Sequence, residues 1–147
     1  MTDFEELRVG AIAEGIDRFV VGVIVPCDGK ILILQRPADD FMPGIYELPS
    51  GKVEPGETLS DAIARELLEE TGLHVGSVVS HVGDFDYVSG SLKRTRQLNF
   101  EVRVREVREV IHPDHVAAAW VKEADLGRYP ITDESRRVMQ RYFETLT

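Results

Sequence analysis

The chain has 147 residues, of which 43% are hydrophobic and 29% are charged, and this composition suits one compact domain over residues 1–147. Its formal net charge of −9 argues against binding long nucleic acids, whose phosphates attract basic surfaces. The single cysteine, Cys27, has no partner for an internal disulfide, so we expect a reducing compartment such as the cytoplasm. The longest apolar run, Phe19–Val25, is too short to cross a membrane, and no membrane partner is expected.

The N-terminal segment Met1–Asp17 is acidic and has no basic stretch leading into an apolar run, so we do not expect it to be a signal peptide. We treat it as an N-terminal extension that either adds a strand or stays loosely ordered. Two β-rich runs follow, Phe19–Val25 and Ile31–Gln35. Between them, Pro26–Lys30 contains an Asp-Gly pair, which predicts a hairpin. Arg36–Gly44 holds two prolines and two aspartates, and we predict a loop there.

A helix is the clearest element in the middle of the chain. A short strand over Ile45–Leu48 and a loop over Ser50–Gly56 precede it. Thr58 is the predicted N-cap, because Asp61 follows three residues later in a capping arrangement. The helix is expected to end at Gly72, since glycine commonly terminates helices.

The rest of the chain alternates strands with one further helix. The predicted strands are Val75–Val82, Arg94–Val104 and Ala117–Val121, with a turn near Ser89–Ser91. The last element, Thr132–Leu146, is an amphipathic helix whose apolar stripe contains Val138, Met139, Tyr142 and Leu146. Strands with helices between and after them predict an α/β sandwich.

Three glutamates interrupt the apolar face of the first predicted helix. On a helical wheel, Glu66 and Glu70 fall inside the arc that faces the core, and Glu69 lies at its edge. That arc is formed by Leu59, Ile63 and Leu67. Carboxylates on a partly buried face repel one another and lose solvation. Arg65 can reach Glu69 at i+4, but one arginine cannot neutralise three acids.

A divalent cation neutralises such a group better than an arginine does. Ligands that are all oxygen select a hard ion, so we predict Mg²⁺, with Mn²⁺ as a substitute. A structural salt bridge is the simpler interpretation of a lone glutamate on an apolar face. Three glutamates at i, i+3 and i+4 favour a metal site instead.

These residues complete a longer motif, which resembles the Nudix box. The segment Gly51–Leu73 matches every fixed position of that box. The pattern is Gly, five residues, Glu, seven residues, and then Arg-Glu-apolar-any-Glu-Glu-any-Gly-apolar. The flanking chain is similar to the MutT-like branch, with Tyr46–Gly51 ahead of the box and Trp120-Val121 near the end. The resemblance covers roughly Phe19–Leu146. It implies a Nudix α/β/α sandwich, with a mixed β-sheet between helices and the box as loop–helix–loop.

The resemblance also implies roles for individual residues. Glu66, Glu69 and Glu70 would be metal ligands, and one of them would serve as the base for the attacking water. Glu57 would pair with Arg65, and a backbone carbonyl of Ser50 or Gly51 would complete the metal shell. Many MutT-like proteins have Gly-Gly where this chain has Ser50-Gly51, which weakens any assignment of a specific triphosphate. An additional acidic ligand is common outside the box, and the candidates here are Glu101, Glu106 and Asp84.

The expected reaction is hydrolysis of a diphosphate linkage, in a nucleoside triphosphate or a nucleoside diphosphate derivative. Metal ions neutralise the phosphate oxygens and acidify bound water, and a carboxylate takes the proton. Gly51–Thr58 superficially resembles a P-loop, but Glu57 occupies the position of the phosphate-binding lysine, so that site is rejected. The alternative function is a non-catalytic Nudix-fold module that binds a nucleotide or sugar nucleotide. Oxidised or ordinary nucleoside triphosphates, ADP-ribose and sugar nucleotides all remain open as ligands, as does a homodimer.

Substrate contacts outside the box are predicted from residue type alone. Cationic or aromatic side chains suited to phosphate or base contact are Arg36, Tyr46, Lys52, Arg94 and Arg96, and Phe85 and Tyr87 are further aromatic candidates. Each also fits ordinary packing or a solvated surface. The segment His112-Pro113-Asp114-His115 fits a surface turn or a transition-metal site.

Overall fold

The structure, a computed structural model, describes residues 4–40 and 42–146. The strands in this part of the chain form two sheets, and helices pack against them. The elements are α1 (Glu5–Ala13), β1 (Arg18–Ile24), β2 (Pro26–Cys27), β3 (Lys30–Gln35), β4 (Tyr46–Glu47), β5 (Ser50–Lys52), α2 (Leu59–Thr71), β6 (Val75–Val88), β7 (Arg94–Val104), β8 (Ala117–Val121), a 3₁₀ helix (Glu123–Arg128) and α3 (Asp133–Glu144).

One sheet is mixed, as the resemblance implies, and the other is antiparallel. The mixed sheet has the order β5-β1-β7-β6, with β1 parallel to β7 and antiparallel to β5. In the second sheet, β3 pairs with β2, β4 and β8, all antiparallel. Val21 of β1 faces Gly51 of β5, so the start of the box is hydrogen-bonded to the centre of the mixed sheet.

Two apolar clusters lie on opposite faces of the strands. The first joins α1 and α2 to Val21 and Val23 of β1 and to Leu32 of β3. The second joins α3 to Ile24 of β1 and Ile31 of β3. Neighbouring residues of one strand point to opposite faces, so the sheets lie between two helical layers. The predicted α/β/α sandwich is confirmed.

The local signals that define α2 are confirmed at both ends. The Thr58 side chain accepts a hydrogen bond from the Asp61 amide at 3.1 Å, which satisfies a free N–H of the first turn. Gly72 ends the helix with φ 75°, a left-handed conformation that suits glycine. Leu59, Ile63 and Leu67 are fully buried. The box therefore forms loop–helix–loop.

The hairpin prediction was right about its turn and wrong about its strands. Asp28 and Gly29 have positive φ angles, as the Asp-Gly pair predicts, but the strand that pairs with β3 is the short β2. The run Phe19–Val25 lies instead mainly in the mixed sheet as β1. Since β1 is buried on both faces, it is a central strand, flanked by β5 and β7.

The N-terminal extension forms a helix, neither a strand nor a loosely ordered segment, over Glu5–Ala13; Met1, Thr2 and Asp3 lie outside the described residues. Ala11 is buried against the first apolar cluster, and Phe4 and Leu7 pack on it. The Phe4 ring meets Phe100 edge-on, with 5.1 Å between ring centroids. These tertiary contacts explain a helix that local sequence did not indicate.

Three boundaries differ from the predictions. Ser50–Lys52 is a strand instead of loop, because its backbone pairs with β1. The strand predicted over Val75–Val82 continues to Val88, with register irregularities near His81–Gly83. Leu146 does not join the buried stripe of α3, because the helix ends at Glu144 and leaves that side chain exposed. Within the described residues, no helix combines the length and the apolar character needed to cross a membrane.

Candidate active site

Strand β5 lies against α2, and a glycine makes this contact close. A Cβ atom added at Gly51 would lie 1.9–2.3 Å from the carboxyl atoms of Glu66. That separation is impossible for real atoms, so any side chain at this position must displace the Glu66 carboxylate. The sequence thus places a carboxylate directly over the strand backbone.

Glu70 is a partly buried acid at the contact between α2 and β5. Its Oε1 accepts a hydrogen bond from the Ser50 amide at 2.7 Å. Burial raises the pKa of Glu70 to about 8, and the nearby negative charges of Glu47 and Glu66 act in the same direction. Within the described residues, Glu70 forms no salt bridge. A carboxylate in such surroundings favours either a proton or a bound cation.

Of the other two glutamates of the motif, Glu66 is also partly buried and Glu69 is exposed. Burial raises the pKa of Glu66, and hydrogen bonding to Arg65 opposes this. The side chain of Glu69 is 58% exposed and lies 3.4 Å from Arg65. The placement of all three agrees with the helical wheel, in which Glu66 and Glu70 face inward and Glu69 lies at the edge.

Arg65 braces the box, and the predicted pairing with Glu57 is present. Its Nε and Nη2 donate to the two oxygens of Glu57 at 2.7 and 2.8 Å. Nη2 also donates to the Lys52 carbonyl at 2.9 Å, and Nη1 donates to Glu66 at 2.7 Å. The hydrogen bonds from Arg65 lower the pKa of Glu57 to about 2. A single guanidinium therefore connects β5, the loop and α2.

Glu47 and His115 form an ion-pair network that the sequence analysis did not predict. Nε2 of His115 lies 2.9 Å from Glu47, and Arg36 donates to the same carboxylate at 2.8 Å. The segment 112–115 is a turn, as predicted, with Pro113 and Asp114 exposed and the His115 amide bonded to the His112 carbonyl at 3.1 Å. The His115 side chain itself is only 5% exposed. Both Glu47 and His115 influence the pKa of Glu70, which places them near the glutamates. The signal available was Glu47 itself, an acid inside an apolar strand two residues before Pro49.

The donors around Gly51 are carboxylate and carbonyl oxygens, which a divalent cation prefers. Across residues 4–40 and 42–146, no three His, Cys, Asp or Glu side chains are already grouped as a metal cluster. Glu66 bonds Arg65, and Glu70 bonds the Ser50 amide. The chemistry nevertheless fits a hard ion, because the donors are oxygens and Glu70 forms no salt bridge with any described residue. The transition-metal interpretation of His112 and His115 has no support in these residues, since Nδ1 of His112 lies 3.0 Å from the His115 carbonyl and Nε2 of His115 bonds Glu47.

The predicted substrate contacts are not gathered in one place. Arg36 lies beside Glu47, and Tyr46 packs edge-on against Tyr129 at 4.9 Å. The Lys52 side chain is exposed at the end of β5. Arg94 and Arg96 both bond the end of the N-terminal segment at Glu14. Their roles as substrate contacts stay predictions.

The candidates for an additional acidic ligand also have other partners. Glu101 accepts a hydrogen bond from Ser80 at 3.4 Å, and Glu106 pairs with Arg108 on an exposed surface. Asp84 bonds His81. These contacts do not favour any one of the three as the additional metal ligand. Phe85 and Tyr87 contact each other at 6.2 Å between centroids, and Tyr87 is 41% exposed, so their role in substrate stacking stays a prediction.

The fold and the site together define the class of the protein. It is an α/β/α sandwich in which α2 holds glutamates against Gly51 of β5, and Arg65 bonds both elements. The sequence model of the NUDIX domain family matches residues 17–142. The chain therefore belongs to the NUDIX family and is a Nudix hydrolase.

Named relatives agree with this assignment. A CTP pyrophosphohydrolase of Escherichia coli (strain K12) is 35% identical over 116 residues, which cover 76% of this chain and 81% of that protein. A putative 8-oxo-dGTP diphosphatase 2 of Mycobacterium tuberculosis (strain CDC 1551 / Oshkosh) is 36% identical over 117 residues, or 76% of this chain and 77% of that protein. The crystal structure of a MutT protein from Methanosarcina mazei Go1 superposes with a TM-score of 0.75 and 25% identity, covering 88% of this chain and 94% of that one.

Proposed function

We propose that this Nudix hydrolase is a Mg²⁺-dependent pyrophosphohydrolase that acts on a nucleoside triphosphate or a nucleoside diphosphate derivative, with Mn²⁺ as a substitute ion. The observation that carries the proposal is the buried Glu70 beside Glu66, both held against Ser50 and Gly51. Two carboxylates in this position cost stability unless a cation or protons neutralise them. An anionic diphosphate needs the same cation, because its own charge would otherwise be repelled.

The residues of the box divide the work between them. Glu66, Glu69 and Glu70, with a carbonyl of Ser50 or Gly51, would hold the ion. Bound there, Mg²⁺ supplies charge neutralisation of phosphate oxygens and acidification of water. One of the glutamates accepts the proton of the water that attacks phosphorus. Arg65 does not touch the reacting atoms in this scheme; it fixes the helix against β5 through Glu57 and the Lys52 carbonyl.

An open surface depression, which His115 links to Glu70, offers a place for the group attached to the diphosphate. It has a volume of about 470 Å³ and is lined by Pro37, Asp39, Asp40, Pro113, Asp114, His115 and Val116. Three aspartates repel a phosphate and attract hydrogen-bond donors such as the amino group of a nucleobase. The relatives named for CTP and 8-oxo-dGTP, whose bases carry amino groups, support this choice.

The test is a Mg²⁺ assay with a panel of nucleotides, in which pyrophosphate and phosphate are measured separately. We expect turnover that EDTA abolishes, with pyrophosphate released from triphosphates. Substrates with amino-bearing bases should be preferred over UTP and dTTP. Equal rates for all bases would contradict the assignment of the acidic cavity and leave the diphosphate chemistry standing.

Site variants separate an enzyme from a binding module. Glu69→Gln and Glu70→Gln should each abolish Mg²⁺-dependent turnover with an unchanged circular dichroism spectrum. Asp61→Asn is the matched control, because Asp61 is an exposed acid on the same helix. Full activity in both glutamine variants would overturn the proposal. Ligand binding without product over the whole panel would favour the non-catalytic module.

A cytoplasmic location and a homodimer stay predictions, the latter to be checked by sedimentation velocity.

A further inference from the structure

Helix α1 precedes the residues that match the NUDIX family, 17–142, yet it contacts the box at two points. Oε2 of Glu5 accepts a hydrogen bond from the Leu59 amide at 2.8 Å. Nη2 of Arg8 donates to the Glu57 carbonyl at 2.7 Å. Both contacts span about fifty residues of sequence, so they are tertiary contacts and not local turns.

The first contact caps the glutamate-bearing helix from outside. Leu59 is the first residue of α2, and its amide has no partner within the helix. Thr58 already serves the Asp61 amide, so Glu5 satisfies a different donor of the same turn. A carboxylate at this end also interacts favourably with the helix dipole.

The second contact is the start of a chain of bonds that reaches the carboxylates. Arg8 holds the backbone of Glu57, and the Glu57 side chain holds Arg65. Arg65 in turn donates to Glu66 at 2.7 Å. Every link joins a charged group to a hydrogen-bond partner, which makes such bonds short and strong.

Contacts at both ends fix α1 on the domain, so the helix can hold the residues of the box that it contacts in place. At its start, Glu5 bonds the Leu59 amide, and in its first half the Arg8 guanidinium lies 6.0 Å from the centre of the Phe19 ring. Beyond its end, Glu14 accepts a hydrogen bond from Arg96 at 2.7 Å, and its carbonyl accepts one from Arg94 at 3.3 Å. Ala11 between these ends is 1% exposed.

We propose that Arg8 and Glu5 are positioning residues of the active site, which hold the loop 53–58 and the start of α2 so that Glu57 and Arg65 fix the metal-binding glutamates. The inference depends on the proposed function, because the property that α1 sets is the affinity for Mg²⁺. Arg8 and Glu5 touch neither the substrate nor the ion.

The test compares Arg8→Met with Arg8→Lys. Methionine keeps an apolar stem on Phe19 and removes the donor to Glu57, whereas lysine retains a donor. Arg137→Met is the matched control, since Arg137 is an exposed arginine that bonds the Asp133 carbonyl of its own helix. We expect the Mg²⁺ dissociation constant, measured by calorimetry well below the melting temperature, to rise roughly threefold to tenfold in Arg8→Met, less than the effect typical of residues that bond metal ligands directly. In Arg8→Lys the Mg²⁺ affinity should return to a value close to that of the unaltered protein.

Amide exchange measured by NMR gives a second readout that needs no metal. In Glu5→Ala the Leu59 amide should exchange faster, while Glu5→Gln, which keeps an acceptor, should protect it. Glu6→Ala is the control, because Glu6 is the exposed neighbour on the same helix. An unchanged Mg²⁺ affinity in Arg8→Met, or an unchanged Leu59 amide in Glu5→Ala, would overturn the positioning role. Absence of Mg²⁺-dependent turnover in the unaltered protein would instead overturn the proposed function.

Discussion

The ion pair between Glu57 and Arg65 makes a quantitative prediction about stability. The pKa of Glu57 falls from its ordinary value of 4.5 to about 2, chiefly through hydrogen bonds from Arg65, and its side chain is only 13% exposed. Each pKa unit corresponds to about 1.4 kcal/mol, so the fold gains on the order of 3 kcal/mol from the ionised carboxylate. Replacing Glu57 with glutamine keeps the shape and removes the charge. We expect Glu57→Gln to lose stability approaching this amount at neutral pH.

The pH dependence identifies the source of that stability. Because the pKa of Glu57 is lower in the folded state, its contribution is fully present above 4.5 and is lost as the pH falls toward 2. Urea unfolding with EDTA present, at pH 7 and near pH 3, should therefore show a gap between the unaltered protein and Glu57→Gln that narrows to roughly half or less at the lower pH, where the folded carboxylate is still largely ionised.

A gap of equal size at both pH values would refute this reasoning, because it would show that glutamine fails through shape and not through charge. Glu106→Gln is the control, since it removes an exposed ion pair with Arg108. Such exposed pairs contribute about 0–1 kcal/mol, so this variant should unfold almost like the unaltered protein.

Three further predictions concern the same helix and its surroundings. Gly51→Ala should raise the Mg²⁺ dissociation constant and lower turnover with the fold intact, because the added Cβ displaces Glu66; unchanged Mg²⁺ titrations would contradict the close contact. Leu67→Ala should cost about 2–5 kcal/mol in urea unfolding, because that side chain is fully buried, whereas Leu68→Ala on the exposed side of α2 should cost far less. Mg²⁺ at a hundred times its dissociation constant should stabilise the protein by about 2.7 kcal/mol, seen as a rise in melting temperature. A melting temperature insensitive to Mg²⁺ would argue that the ion does not bind the folded chain.

Signals carried by neighbouring residues allowed α2 to be predicted correctly. The threonine cap at Thr58, the left-handed Gly72 and the buried stripe depend on spacings of three or four residues, which a sequence displays directly. The pairing of Glu57 with Arg65 came from the family resemblance, and the structure shows it.

Features that depend on distant partners were missed. Ser50–Lys52 becomes a strand only because β1, some thirty residues earlier, supplies its hydrogen bonds. Helix α1 depends on packing against the first apolar cluster, and its own sequence has a weak apolar stripe. The link between Glu47 and His115 joins residues far apart in the chain, so spacing could not reveal it.

The partial burial of Glu70 lowers the stability of the fold, although the proposed activity requires this carboxylate. Apolar residues of similar volume often replace buried charged groups with a gain in stability. An exchange of Glu70 for methionine should therefore raise the melting temperature in EDTA while it removes a proposed metal ligand. A screen that selects only for thermostability would tend to collect inactive proteins at this position, a conflict between stability and activity that is common at active sites.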